Sequence, residues 1–248
     1  MVMTYSQSEP TIHLSSLPRA DGSASFTENG FTIIGAVNGP LEISRRDENP
    51  EAAVVDVTIR PAVGSAGTRE RHLESLLQST LRQIILIYEF PRTLIQITLQ
   101  ISSSPEDNND VKSKGARAGS NLLILPALLQ TATMALISAS IPLSLTINSV
   151  CIARLSSQNS SNPTLQKNPT TIQVKAADSI HVLSFTSHGD LVLAESEGMF
   201  SMSDWNQIYE LGKELCCKLE SSGKINGIVD NIKTSIQSQL SMDLQWKH

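Results

Sequence analysis

This chain is poor in the residues that build metal, disulfide or cofactor sites. Its three cysteines are Cys151 and the adjacent Cys216 and Cys217, which fall at no metal-ligand spacing. Neighbouring cysteines rarely bridge each other, so these read as structural thiols in a reducing compartment. The five histidines, His13, His72, His181, His188 and His248, are scattered, and none is set with a cysteine or acid at ligand spacing. No Walker loop, dinucleotide fingerprint or nucleophile elbow is present, and no repeat at solenoid period. No cofactor, no metal and no catalytic residue are expected. A basic excess is missing too: 19 Lys and Arg stand against 24 Asp and Glu, a formal charge of −5. Any contact with nucleic acid must then come from a local patch. The first residues, MVMTYSQSEPTIH, have neither a basic n-region nor an apolar h-region, which argues against secretion.

What the chain does have is a long apolar centre. Gly119–Leu155 begins at a glycine-serine turn and runs through about twenty mostly apolar residues without a charge. A break at Ile141-Pro142 follows, then a second apolar run rich in β-branched residues, closed by Arg154. The Ala, Leu and Met of the first run favour helix, and the second has strand composition. A helix with so little polar surface must be covered on nearly all sides, inside a domain that packs helices on sheets. Gln130, Thr131, Thr133, Ser138, Ser140 and an internal Pro126 argue against the competing reading, a membrane span.

Around this centre the elements follow in order. Residues 1–11 read as a flexible tail and 12–248 as a single domain. Strands are expected at Ile12–Leu17, Ser23–Phe26 and Phe31–Val37, separated by Asp21-Gly22 and Asn29-Gly30 turns. Arg45-Arg46-Asp47-Glu48 is a charged loop or subunit contact whose charges cancel. Ala53–Arg60 is a strand stopped by Pro61, Arg69–Ile87 a helix, and Leu94–Ile101 a strand. Residues 103–118 and 156–171 read as surface loops. A hairpin spans Ser179–Thr186 and Leu191–Glu197, and 201–242 form a helical part opened by a capping-box pattern at Ser201–Asp204. His181 and Trp205 read as core or interface residues.

Three segments, in order, carry a family resemblance: GFTIIGAVNGPLEIS (30–44), FPRTLIQITLQI (90–101) and the buried helix ending in ALISASIP. Together they resemble RNase PH-type domains, and most of all the RNase PH-like ring subunits of the RNA exosome core. The fold this implies is α/β (α+β), with mixed β-sheets packed with helices, of the kind seen in the second domain of the small-ribosomal-subunit protein number five. The function it implies is a non-catalytic structural subunit of the exosome ring, supporting 3′–5′ RNA processing and degradation, ribosomal RNA maturation included. Implied partners are other RNase PH-like ring subunits, RNA-binding cap subunits, an associated catalytic ribonuclease, and RNA through the assembled channel, with no membrane. The implied location is nucleus, nucleolus and cytoplasm. The alternative is a catalytically active phosphorolytic 3′–5′ exoribonuclease.

The resemblance also says where chemistry belongs. Active members hold phosphate at the turn opening the buried helix, in a Gly-Gly-Thr-Arg-like sequence, where backbone N–H groups and an arginine clamp an anion. Here the matching segment reads Ala118-Gly119-Ser120-Asn121, so Gly119, Ser120 and Asn121 are a phosphate-site remnant with an uncharged amide where arginine is expected. Equally, Gly119-Ser120 can simply turn the chain and cap the helix. Active members also place two aspartates after the next strand to hold a divalent metal. Residues 156–177 contain no Asp or Glu; Asn162 and Asn168 stand near those positions, while Asp178 precedes a strand and Asp190 lies in a turn. The RNA-contact candidates are Arg69, Arg71 and Arg82, with Gln78 where relatives often carry arginine. The bland alternative for Arg69 and Arg71 is a solvated helix start partly neutralised by Glu70 and Glu74.

Overall fold

The computed structural model describes residues 10–105, 121–155, 164–217 and 227–245. The N-terminal half builds a mixed sheet from β1 (Thr11–Leu14), β2 (Gly22–Glu28), β3 (Phe31–Glu42), β4 (Val54–Arg60) and β5 (Thr93–Ser103), in the order β1-β2-β3-β5-β4. Of the two Gly-containing dipeptides, Asn29-Gly30 makes the turn expected of it, both residues taking positive φ, 52° and 83°, to join β2 to β3. Asp21-Gly22 does not: the chain turns before it, and Gly22 is already the first residue of β2. β4 runs parallel to β5, and α1 (Thr68–Ile84) makes the crossover between them. The second sheet is antiparallel, with β6 (Ile147–Leu155), β7 (Thr164–Lys167), β8 (Ser179–Thr186) and β9 (Leu191–Gly198) in the order β7-β6-β8-β9.

α2 (Leu125–Ser138) joins the two sheets. It touches β2, β3 and β5 of the first sheet and β6 and β8 of the second, and every residue from Leu125 to Leu136 is buried. This is the covered helix its composition requires. It is shorter than the apolar run, because residues 121–123 form a 3-10 turn and Pro126 occupies the first turn of the α-helix. No helix of the described residues is long and apolar enough to cross a membrane. On the far side of the second sheet lies α4 (Met202–Cys217), which buries Ile208 and Cys216 against Val150, Ile152, Leu183 and Phe185. β8 is therefore buried at all eight positions, with α2 on one face and α4 on the other. Ser201 and Asp204 cap α4: the Ser201 N–H donates to Asp204 Oδ2 at 3.0 Å, and the Asp204 N–H to Ser201 Oγ at 3.3 Å. α3 (Thr171–Ala176) is short, and α5 (Gly227–Asp243) lies against β1.

Several boundaries differ from expectation. Residues 164–167, read as part of a surface loop, form β7, pairing Ile152 with Lys167 and Leu155 with Thr164. A low-complexity sequence hides this strand because it shows no apolar alternation, and what supports it is the antiparallel ladder with β6, the strand before it. Thr11 belongs to β1 and not to the tail. β3 runs on past Val37 through a register shift to Glu42. The loop expected at 103–118 lies outside the described residues beyond Pro105, as does 156–163 of the second loop.

One buried group of α2 is unsatisfied. Gln130 is 2% exposed, and among the described residues neither its Nε2 nor its Oε1 has a hydrogen-bond partner. An unpaired buried amide costs on the order of 1–3 kcal/mol. Gln130→Met keeps the volume and removes the polar atoms. The variant is expected to melt higher by about 2–6 °C, for a gain of roughly 1–2 kcal/mol in a chain of this length. A melting temperature unchanged or lowered in differential scanning calorimetry would show that the amide is satisfied in solution.

Candidate functional site

The basic set sits on α1. The helix starts at Gly67, whose N–H donates to Glu70 Oε2 at 2.6 Å, and it buries Leu73, Leu77, Leu81 and Ile84 on one face. Arg69, Arg71 and Arg82 are all exposed. At 100° per residue, Arg71 and Arg82 lie within about 20° of each other and about 16 Å apart along the axis, while Arg69 is about 200° round from Arg71. The helix thus aligns Arg71 with Arg82 and leaves Arg69 on another side.

The neighbouring acids are engaged elsewhere. Glu70 takes the Gly67 N–H, and Glu74 Oε1 takes the Ile59 N–H at 2.7 Å. Among the described residues, Arg69 and Arg71 make no ion pair, and both are exposed to solvent. Gln78 has a structural task, its Nε2 donating to the Val55 carbonyl at 2.6 Å. Ile59 and Val55 are both on β4, an outer strand, so Glu74 and Gln78 close part of its free edge.

Gly119 and Ser120 lie outside the described residues, and of the phosphate-site remnant only the backbone of Asn121 is described, opening the 3-10 turn. α2 itself has Ile124 as N-cap with no side-chain cap. The reading of Gly119-Ser120 as a helix cap lies outside the described residues.

Asn168 and Asp178, weighed above beside the acids that the resemblance implies, are engaged in other contacts, while Asn162 lies outside the described residues. Asn168 sits just after β7 with a φ of 45°, its N–H donating to the Cys151 carbonyl at 2.8 Å. Its Nδ2 donates to Glu28 Oε1 at 2.9 Å, linking the second sheet to the end of β2. Glu28 is 9% exposed, and burial pushes its carboxyl up from the ordinary 4.5 to about 7. The same burial, and after it the Glu28 charge, pushes the Cys151 thiol to about 12, so it is inert at neutral pH. Cys216 is likewise pushed to about 12, first by burial and then by Cys217.

Asp178 is paired. Arg154 places Nη1 3.5 Å from Asp178 Oδ2 and Nη2 3.4 Å from Asp204 Oδ2, tying the end of β6 to the starts of β8 and α4. Ser201 hydrogen bonds, backbone first, hold the Asp204 carboxyl below its usual range, with the Arg154 charge helping. Nearby, His181 is buried, with Nδ1 2.8 Å from Ser196 Oγ, Nε2 2.9 Å from Ser179 Oγ, and the Phe200 ring edge-on at 4.7 Å. Burial, then Arg154, lowers its pKa to about 4 against the pull of Asp204, so the ring is uncharged at neutral pH. His181 is a core residue, as expected, and Trp205 packs beside it. Asp190 stays in its turn, its N–H donating to Thr186 Oγ1 at 3.1 Å. Among the described residues no three His, Cys, Asp or Glu side chains stand close enough to hold a metal ion.

Sequence reading missed Glu28 and the Arg154 ion pairs. Glu28 had a signal: by strand parity it shares the inward face of Ala24 and Phe26. The ion pairs had none, because nothing local joins Arg154 to residues 24 and 50 positions on.

The family model described as "3′ exoribonuclease family, domain 1" matches residues 9–142. The exosome complex component RRP46 of Saccharomyces cerevisiae is 32% identical over 231 residues, covering 91% of this chain and 94% of that protein. An exosome complex exonuclease RRP46 homolog of Oryza sativa subsp. japonica is 32% identical over 127 residues, 51% of this chain and 47% of that protein. The crystal structure of rice Rrp46 aligns with a TM-score of 0.72 at 22% identity, over 93% of this chain and 96% of that one, a likeness of fold.

Proposed function

The chain belongs to the RNase PH family of 3′ exoribonucleases, and within that family we propose that it is a non-catalytic structural subunit of the exosome ring. The observation that carries the ring assignment is the near full-length similarity to an exosome component. In that role it assembles with other RNase PH-like ring subunits, meets the RNA-binding cap subunits and an associated catalytic ribonuclease, and helps line the channel through which RNA passes. It would act in the nucleus, nucleolus and cytoplasm, where RNA is processed and degraded. The domain arrangement proposed with this reading is a short tail followed by one RNase PH-like domain over 12–248.

The absence of catalysis is supported by electrostatics. Phosphorolysis needs a cation to hold inorganic phosphate and carboxylates to hold a divalent metal. Asn121 brings no charge to the first, and residues 156–177 bring no acid to the second. The acid just beyond them, Asp178, has its charge offset by Arg154, and Asn168 is bonded to Glu28. Arg69, Arg71 and Arg82 are the proposed RNA contacts; exposed guanidinium groups that make no ion pair among the described residues can meet phosphates at no cost of breaking a pair. Because Arg71 and Arg82 share a helix face, they would follow one strand together, with Arg69 contributing from the helix start.

A second reading, an active phosphorolytic exonuclease, is favoured by the word "exonuclease" in the name of the rice relative. One assay separates the two. The purified chain, incubated with single-stranded RNA, phosphate and Mg²⁺, is expected to release no nucleoside diphosphates above a blank. Phosphate-dependent release that survives repurification would overturn the non-catalytic reading and leave the ring assignment standing.

A further inference from the structure

Each sheet has two outer strands, and an outer strand presents backbone N–H and C=O groups with no ladder partner. Three of the four here are short or closed. β1 and β7 have four residues each, and α5 lies against β1. β4 is capped by Glu74 and Gln78. The fourth, β9, has eight residues.

Hydrogen-bond parity shows which groups of β9 face outward. The Thr186 N–H donates to the Asp190 carbonyl at 2.8 Å, and the Met199 N–H to the Asp178 carbonyl at 3.2 Å, so the even-numbered residues of β8 point toward β9. Their partners in register are Leu193, Glu195 and Glu197. Val192, Ala194 and Ser196 then turn their backbone groups to the open side. Just beyond the strand, Met199, Phe200 and Met202 expose apolar side chains, at 85%, 43% and 73%.

We propose that the open edge of β9 at Val192, Ala194 and Ser196 takes an extended strand of a neighbouring ring subunit, continuing the second sheet into that subunit. The inference rests on the ring reading above. Donors and acceptors alternating every second residue, about 6.8 Å apart, are complementary to an extended chain. An RNA backbone does not match that spacing of alternating amide donors and carbonyl acceptors, and Glu195 beside the edge repels its phosphates. Glu195 has no ion-pair partner among the described residues, so the incoming strand carries a lysine or arginine opposite it. Met199, Phe200 and Met202 supply apolar anchoring next to the strand.

Amide hydrogen exchange on the isolated chain and on the reconstituted ring tests this. The amides of Val192, Ala194 and Ser196 are expected to exchange fast in the isolated chain and at least about a hundredfold more slowly in the ring, as for paired strands. Ala194→Pro deletes an outward N–H and no ladder bond of its own sheet, so it should fold yet enter the ring with about tenfold weaker affinity. If that variant misfolds by circular dichroism, Glu195→Lys decides: it should weaken entry by a few-fold, less so at high salt. Equal exchange in the free and assembled states, or normal entry of a folded Ala194→Pro chain, would overturn this inference and spare the ring reading. A wild-type chain that enters no ring would overturn both.

Discussion

Gly22→Ala is expected to destabilise the fold by about 3 kcal/mol or more, a drop of roughly 6–12 °C in melting temperature. Gly22 opens β2, and it is buried where the C-terminal end of α2 meets the first sheet. A Cβ there would lie 2.2 Å from the backbone nitrogen of Ala139 and 2.5 Å from its Cα. Ala139 is the C-cap of α2, whose N–H donates to the Ala135 carbonyl at 2.9 Å, so it cannot swing aside without loosening the helix end. α2 cannot move as a body either, because both sheets press on it. Gly35→Ala provides the comparison. Its Cβ would meet side-chain atoms first, Thr131 Cγ2 at 2.9 Å and Leu99 Cδ2 at 3.1 Å, with the nearest backbone atom, the Thr131 carbonyl oxygen, at 3.4 Å. Chemical denaturation of both variants checks the argument. If Gly22→Ala costs no more than Gly35→Ala, the contact between helix end and strand is not the tight one described.

The second large effect is a pH dependence set by Glu28. A carboxyl raised from 4.5 to about 7 keeps its proton in the folded chain after the unfolded chain has lost it. Between those two values the folded state binds more protons, so stability falls as pH rises and levels off above about 7. The loss is on the order of 3 kcal/mol across the window, at about 1.4 kcal/mol per unit. Glu28→Gln removes this titration and keeps an oxygen to accept from Asn168 Nδ2. The variant should match the wild type near pH 4.5 and be more stable by about 1–3 kcal/mol at pH 8. Urea denaturation of both chains at several pH values measures it. A difference that does not change with pH would mean that Glu28 is solvated and titrates normally.

These effects divide along the line between what local sequence dictates and what packing decides. The order and type of most elements were legible from the chain. Asn29-Gly30 can take positive φ and so turns β2 into β3; leucines at helical spacing mark α1; Ser201 and Asp204 cap α4 through groups three residues apart. The long uncharged run required a helix covered on both sides, and α2 lies between the sheets. All of these depend on dihedral preference, periodicity or side chains within one turn of each other. The bonds made by Asn168 and Arg154 do not. Asn168 reaches Glu28 across 140 positions, and Arg154 joins Asp178 to Asp204, because β6 and β8 are neighbours and α4 lies over them. β7 was invisible in a low-complexity stretch because its only support is the ladder with β6. Gln78, unremarkable on a helix surface, caps β4 only because the crossover lays α1 beside that strand. Which sheet edge stays open is settled the same way, since a strand's free groups are defined by the neighbours it lacks, and neighbours exist only once the sheets have formed.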